Sequence, residues 1–296
     1  MDKQSVNGTA VADRILDIFN RHQHVLSDEQ RQALRERIEK AVNYQAVVGV
    51  MGKTGAGKSS LCNALFGQEV AEVSDIGACT RYPQEVSLAY KQGKGLALID
   101  MPGVGESESR DREYAELYQS MLPQLDLVLW LIKGDDRALS IDERFYQRIV
   151  WPHLQRHQLP LVLVISQCDK VEPCREWDAS LQRPGVQQAQ HIHGKRVLLS
   201  QLFSQPMTHI CAVSAEAGYG LMDLVEKVVH TLPNEKKWSF TRETKDEHVS
   251  GRARQESEQG LWDTIKGAVQ EIAQEAWNVV STGLTSIAHA LFDWFF

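Results

Sequence analysis

The chain has 296 residues, of which 43% are apolar and 24% charged, and carries a net charge of −7. This is the make-up of a globular protein with room for one α/β domain and helical extensions. The negative balance excludes a generally basic nucleic-acid binder, and five cysteines without a C-x-x-C pair exclude a zinc ribbon or disulfide frame.

Residues 1–45 predict a helical pair. Val11, Ile15, Ile18 and Phe19 share one helix face, and Leu34, Ile38 and Val42 share another. Ser27-Asp28-Glu29-Gln30 between them is a capping-box start.

A strand/helix alternation fills 46–233, the mark of a mostly parallel, doubly wound sheet. Strands are predicted at 46–51, 84–90, 95–100, 125–132, 161–166 and 209–213. Lys91-Gln92-Gly93-Lys94-Gly95 reads as a hairpin turn, which makes 84–90 and 95–100 an antiparallel pair and the sheet mixed. Helices are predicted at 58–66, 111–122, 141–157, 186–204 and 220–231, with Trp151-Pro152 as a helix stop. Residues 234–260 are polar and nearly free of aliphatics and read as an exposed charged linker. Residues 261–296 recur at helical spacing and end Phe292-Asp293-Trp294-Phe295-Phe296, an amphipathic helix able to dock on the protein or to touch a membrane surface.

The first strand runs into Gly52-Lys53-Thr54-Gly55-Ala56-Gly57-Lys58-Ser59, and Ser60-Leu61-Cys62 opens the helix behind it. Strand, glycine-rich loop and helix in that order make a phosphate-binding loop. Gly52 and Gly57 permit close approaches that a Cβ would block, so successive N–H groups can turn onto phosphate oxygens beside the helix N-terminus. Lys58 should reach the β- and γ-phosphates, and the Ser59 hydroxyl should ligate Mg²⁺.

Three later segments choose the nucleotide. Leu96-Ala97-Leu98-Ile99 ends in Asp100-Met101-Pro102-Gly103, where Asp100 can hold the magnesium shell and the Gly103 N–H can sense a γ-phosphate. Val162-Leu163-Val164-Ile165 delivers Ser166-Gln167-Cys168-Asp169. A carboxylate at Asp169 can accept from guanine's ring N–H and exocyclic amine, a donor pair that adenine lacks. Ile210-Cys211-Ala212-Val213 delivers Ser214-Ala215-Glu216, whose backbone can donate to the guanine carbonyl.

With these motifs in place the chain resembles a TRAFAC-class GTPase of the Era-like kind, and is similar to bacterial 50S ribosome-binding GTPases over roughly 45–232. The resemblance implies a P-loop NTPase fold, GTP and GDP as ligands, and Mg²⁺ as cofactor. It also implies that Thr80, in Ala78-Cys79-Thr80-Arg81, closes on Mg²⁺ with the γ-phosphate, and that about 101–110 is a second switch. Lys58, Thr80 and Gly103 would then be the catalytic set.

Two departures qualify it. The base motif has Ser166-Gln167 where the family reads Asn/Thr-Lys, so nucleotide binding should be weaker. Val104 follows Gly103 where water-orienting GTPases carry glutamine, so hydrolysis should be slow unless Arg81, Glu106, Arg110, Arg112 or a partner helps. Gly55 stands where potassium-dependent relatives have asparagine, so potassium activation is not expected.

The expected protein is thus a cytoplasmic Mg²⁺·GTP switch with low intrinsic turnover, acting on ribosome or RNA assembly. The flanking helices and aromatic end keep open a self-assembling dynamin-like GTPase that forms a GTP-dependent homodimer or makes peripheral membrane contact. Val104 keeps open a nucleotide-binding pseudo-GTPase scaffold.

Overall fold

The computed structural model describes residues 8–21, 26–67, 84–88, 96–100 and 108–272. Apolar β-branched runs form its centre: β1 (Val47–Gly52), β4 (Leu127–Lys133) and β5 (Leu161–Ser166) are buried almost throughout, as strands covered on both faces must be. With β2 (Gln84–Leu88), β3 (Leu96–Asp100) and β6 (Ile210–Ala212) they make one six-stranded sheet in the order β2-β3-β1-β4-β5-β6. Strands β3, β1, β4, β5 and β6 are parallel neighbours, and β2 pairs antiparallel with β3, as the hairpin reading expected. The fold is the expected mixed, doubly wound α/β sheet. The five parallel strands bring their C-terminal ends to one edge, where open α/β sheets bind ligands.

Helices cover both faces. The helix α3 (Lys58–Phe66) packs with α8 (Leu221–Thr231) on one face through Leu61, Leu65, Leu224 and Val228. The other face meets α4 (Glu108–Met121), α5 (Ser140–Phe145), α6 (Trp151–His157) and α7 (Val186–Leu202) around Trp130, Tyr146 and Phe203, all fully buried. The expected stop at Trp151-Pro152 is overturned. A π-turn over Tyr146–Val150 carries α5 into α6 without a break, the Trp151 N–H donating to the Tyr146 carbonyl, and Pro152 falls in the first turn of α6.

The chain's two ends meet in a further layer. The helices α1 (Gly8–Arg21) and α2 (Asp28–Val42) are joined by the expected capping box, Ser27 Oγ accepting from the Gln30 N–H and Gln30 from the Ser27 N–H. Against them lie α9 (Asn234–Glu243) and α10 (Gly251–Ile272). Phe19, Ile15, Ile38, Trp238, Trp262 and Val269 form a core of their own. The expected exposed linker at 234–260 is therefore corrected: it is α9, a short 3-10 turn and the first half of α10. Polar sequence is buried here because it is paired. Lys237, 7% exposed, meets Glu256 at 2.6 Å, and the Ser239 Oγ accepts from the Ala46 N–H at 2.8 Å. The predicted C-terminal helix starts ten residues early, at 251, and continues through the old boundary to 272; the rest of that prediction, 273–296, lies outside the described residues. Among the described residues no helix is long and apolar enough to cross a membrane.

Candidate nucleotide-binding site

The expected phosphate loop joins β1 to α3. Gly55 and Gly57 have φ of +79° and +83°, the left-handed region, and Gly52 has φ of +138° with its missing Cβ facing the Leu131 carbonyl oxygen at 2.3 Å. No L-side chain fits Gly52. The loop is closed by the Ala56 N–H to the Lys53 carbonyl (3.1 Å) and the Leu61 N–H to the Gly57 carbonyl (2.9 Å). Lys58 curls back over the loop, its Nζ 3.3 Å from the Gly52 oxygen and 3.4 Å from that of Lys53. Thr54, Gly55 and Ser60 are exposed, Ser59 is half-buried, and Ala56 is buried.

The base loop sits beside it, because Lys133 pairs with Ser166 and Gly52 with Leu131 in register. The Ser166 hydroxyl, 4% exposed with its residue, donates to the Ala56 carbonyl at 2.6 Å. Gln167 adopts φ of +51° and its Nε2 donates to the Gly55 carbonyl at 2.9 Å. The two residues that depart from the family pattern thus both tether the phosphate loop, and the amide of Gln167 supplies a bond that counting its aliphatic stem had missed. Asp169 follows on a 3-10 turn, half-buried, and its carboxylate has no hydrogen bond or ion pair with any described residue. Ser214 exchanges two backbone bonds with Tyr219 and its Oγ accepts from the Ala217 N–H, which fixes the turn carrying Ala215. The Cys168 N–H donates to the Val213 carbonyl, joining the two base-side loops, and burial beside Asp169 pushes the Cys168 thiol up to about 12, so it is an inert neutral group.

Of the magnesium and switch residues, Asp100 ends β3 in register with Val50 of β1, at the same sheet edge as the phosphate loop. Thr80, Arg81, Gly103, Val104 and Glu106 lie outside the described residues. The donors present fit a nucleoside diphosphate or triphosphate. The loop turns on the positive φ of Gly55 and Gly57, a cation leans over it, and an unpaired carboxylate waits on the base side.

Four residues escaped the sequence reading, namely Asp136, Asp142, Lys195 and Gln188, and three of them gather about Lys53. Lys53 points away from the loop interior and holds Asp136 Oδ2 at 2.8 Å, Asp142 Oδ2 at 2.6 Å and the Ala138 carbonyl at 2.6 Å. Burial works against its charge, but the bonds and charges of the two aspartates outweigh it and hold its pKa above the ordinary lysine value. Asp142 is 1% exposed, and burial raises its pKa despite Lys53. Lys195, from α7, donates to the Asp136 backbone carbonyl. Gln188, fully buried on α7, donates to the carbonyls of Asp169 (3.0 Å) and Val171 (2.8 Å). The only advance signal was Asp135-Asp136 at a strand's C-terminal end, and nothing local pairs it with Lys53.

The profile of the 50S ribosome-binding GTPase family matches residues 47–167. The uncharacterized protein YkfA of Escherichia coli (strain K12) is 39% identical over 274 residues, which are 90% of this chain and 92% of that one. The chain belongs to the 50S ribosome-binding GTPase family. GTPase Era of Aquifex aeolicus (strain VF5) is 26% identical over 189 residues, 63% of this chain and 56% of Era. Among solved structures, Era in complex with MgGDPNP and nucleotides 1506–1542 of 16S ribosomal RNA covers 64% of this chain and 57% of its own at 25% identity and a TM-score of 0.45. Toc33 from Arabidopsis thaliana in complex with Mg²⁺ and GMPPNP covers 75% and 92% at 18% identity and a TM-score of 0.42. Family membership makes this an Era-like P-loop protein that binds guanine nucleotide and hydrolyses GTP.

Proposed function

We propose that the chain is a slow GTP-driven switch whose nucleotide state is passed to the helical layer, and through it to a ribosomal or RNA partner in the cytoplasm. One observation carries the reading: a preformed phosphate loop is tethered by Ser166 and Gln167 to a loop that offers the free carboxylate of Asp169. Lys58 swings from the loop carbonyls onto the β- and γ-phosphates, and the N–H groups of Gly55 and of Gly57 to Ser59 line the phosphate oxygens. The Asp169 carboxylate accepts from guanine's two N–H donors, and the Ala215 N–H donates to its carbonyl. Ser59, with Thr80 and Asp100, would hold Mg²⁺, which supplies charge neutralisation at the γ-phosphate when bound. Water attacks in line, and Gly103 donates to the γ-phosphate. Val104 offers no group to orient that water, which makes turnover slow.

A second reading has its own support. The N- and C-terminal helices fold into one layer with a shared core, so the chain has a second body that could assemble with another copy or rest on a membrane surface when GTP is bound.

Binding of Asp169→Asn to GDP and xanthosine diphosphate tests the base assignment. The variant should lose GDP affinity by about 30-fold or more, two charge-assisted bonds being weakened, and gain xanthine preference; unchanged guanine selectivity would refute it. Phosphate release at low and high protein concentration, with sedimentation on ribosomes and on liposomes, separates the two outputs. Release that stays at the blank rate under every condition would leave only a scaffold.

A further inference from the structure

The loops of the nucleotide site are linked twice, and the links form a closed ring. On one side Gln167 and Ser166 of the base loop grip the carbonyls of Gly55 and Ala56. On the other, Lys53 of the phosphate loop grips Asp136, whose carbonyl receives the Lys195 ammonium from α7. About two turns earlier on that helix, Gln188 holds the carbonyls of Asp169 and Val171 and so returns to the base loop.

We propose that Lys53 is a positioning residue for both ends of the nucleotide: it sets the phosphate loop directly and, through Asp136, Lys195 and Gln188, sets Asp169. The proposal rests on the guanine-nucleotide reading above. A cation in a phosphate loop would ordinarily be assigned to the phosphates. Here Asp142 decides otherwise. Its carboxylate is 1% exposed and 2.6 Å from Lys53, so a Lys53 that turned toward phosphate would strand a buried acid without its partner. Asp136 adds a second anchor, itself held below the usual carboxylate range because the Lys53 bond, the Ala138 N–H and the charge of Lys195 together outweigh its burial. The ring also answers a need specific to this chain. Ser166 is shorter than an asparagine and reaches one phosphate-loop carbonyl at hydrogen-bond length, so the base motif alone fastens the two loops less firmly. A second, charge-assisted path around α7 restores what that substitution removes.

The ring predicts that a change on the phosphate side alters reading of the base. Inosine diphosphate lacks guanine's exocyclic amine, so the ratio of IDP to GDP dissociation constants reports how well Asp169 is placed. Calorimetry on the full chain should show Lys53→Met binding GDP about tenfold more weakly, with the IDP/GDP ratio falling about threefold. Lys195→Met, two links from the phosphates, should lower the same ratio. The double variant should be no worse than the poorer single, since a ring once opened gains nothing from a second cut. Lys53→Arg, which keeps charge and reach, should recover most of the ratio. Equal weakening of GDP and IDP by Lys53→Met, or additive losses in the double variant, would overturn the ring. If Lys53→Met does not fold, Lys195→Met carries the same readout, and an unchanged ratio there overturns the proposal. A wild-type chain that binds neither diphosphate would instead overturn the guanine reading on which the ring rests.

Discussion

The nucleotide edge and the helical layer are built in opposite ways. At the edge, shape comes from the backbone: glycines with positive φ and carbonyls gripped by neighbouring loops, each within a short contiguous motif. The helical layer is made by side chains that bridge distant parts of the chain. The Arg242 guanidinium donates to the carbonyls of Val42 and Tyr44, Gln30 donates to the Ile272 carbonyl, and Arg37 pairs with Glu271. The edge can therefore lose a functional side chain and keep its fold. The layer should behave in reverse, losing stability while an intact edge keeps its affinity.

The largest test of this contrast is Lys58→Ala. Two charge-assisted hydrogen bonds to phosphates, at about 2 kcal/mol each, correspond to on the order of a thousandfold in triphosphate affinity. The thermal midpoint should move by no more than about 2 °C, because the Lys58 contacts to the Gly52 and Lys53 carbonyls are long in the free protein. Calorimetry and a melting curve on the same sample read both numbers. Retained micromolar GTP binding would undo the phosphate-loop assignment.

Asp126→Ala is the mirror experiment. Asp126 is 6% exposed and accepts from the Tyr44 hydroxyl at 3.0 Å, the Val47 N–H at 2.9 Å and the Lys236 ammonium at 2.7 Å, so one carboxylate ties α2, β1, β4 and α9 together. Removing it strands Lys236 and a strand N–H and should cost about 3 kcal/mol in urea unfolding. GDP affinity should stay within about twofold. A large affinity loss would mean that the two regions are one unit.

Gly260→Ala sharpens the same point with a smaller effect. In an exposed helix the change would stabilise by up to about 1 kcal/mol. Here the new Cβ would lie 2.7 Å from the Asn234 carbonyl oxygen, at the crossing of α9 and α10. Backbone cannot give way as a side-chain end can, so the helices must part, and a net loss of about 1–2 kcal/mol is expected. A stabilised variant would show that α9 and α10 are not closely packed in solution.

The same contrast explains what was legible in the sequence. Val47 to Gly52 and Leu161 to Ser166 are buried runs followed at once by their loops, so periodicity and motif agree, and strands, order and ligand class could all be read. The capping box at Ser27 was equally local. The segment 234–260 failed because its burial depends on partners far away: Trp238 finds its core only when α1 and α2 arrive, Phe240 only against Phe66 in the core between α3 and the sheet, and Lys237 is buried only because Glu256 meets it. Composition counted its charges and could not see them paired. Pro152 failed for a different reason, since the π-turn before it carries the helix past the proline. Lys53 was read as one of the nucleotide-binding residues of the phosphate loop, but its partners Asp136 and Asp142 lie across the sheet edge, where no spacing rule reaches.

The smallest expected effect lies where the two regions touch. The Lys245 N–H donates to the Leu65 carbonyl at 2.9 Å, and the His248 Nε2 lies 3.1 Å from the Ala64 carbonyl, so the approach to α10 caps the last turn of the phosphate-loop helix. Burial lowers the His248 pKa, against the opposing pull of Glu247. A histidine depressed in the folded state contributes stability that is present above its unfolded value, near 6.5, and is lost as pH falls through the folded value. His153 and His209 are shifted the same way, also by burial first, so the whole protein should weaken on acidification from pH 7 toward pH 5. His248→Gln keeps an N–H for the Ala64 carbonyl and removes the titration. Urea midpoints at pH 7 and pH 5 should differ less in the variant than in the wild type. Equal differences would mean that the proton on His248 does not act at the joint between α3 and the helical layer, and that the two regions meet there through neutral backbone bonds alone.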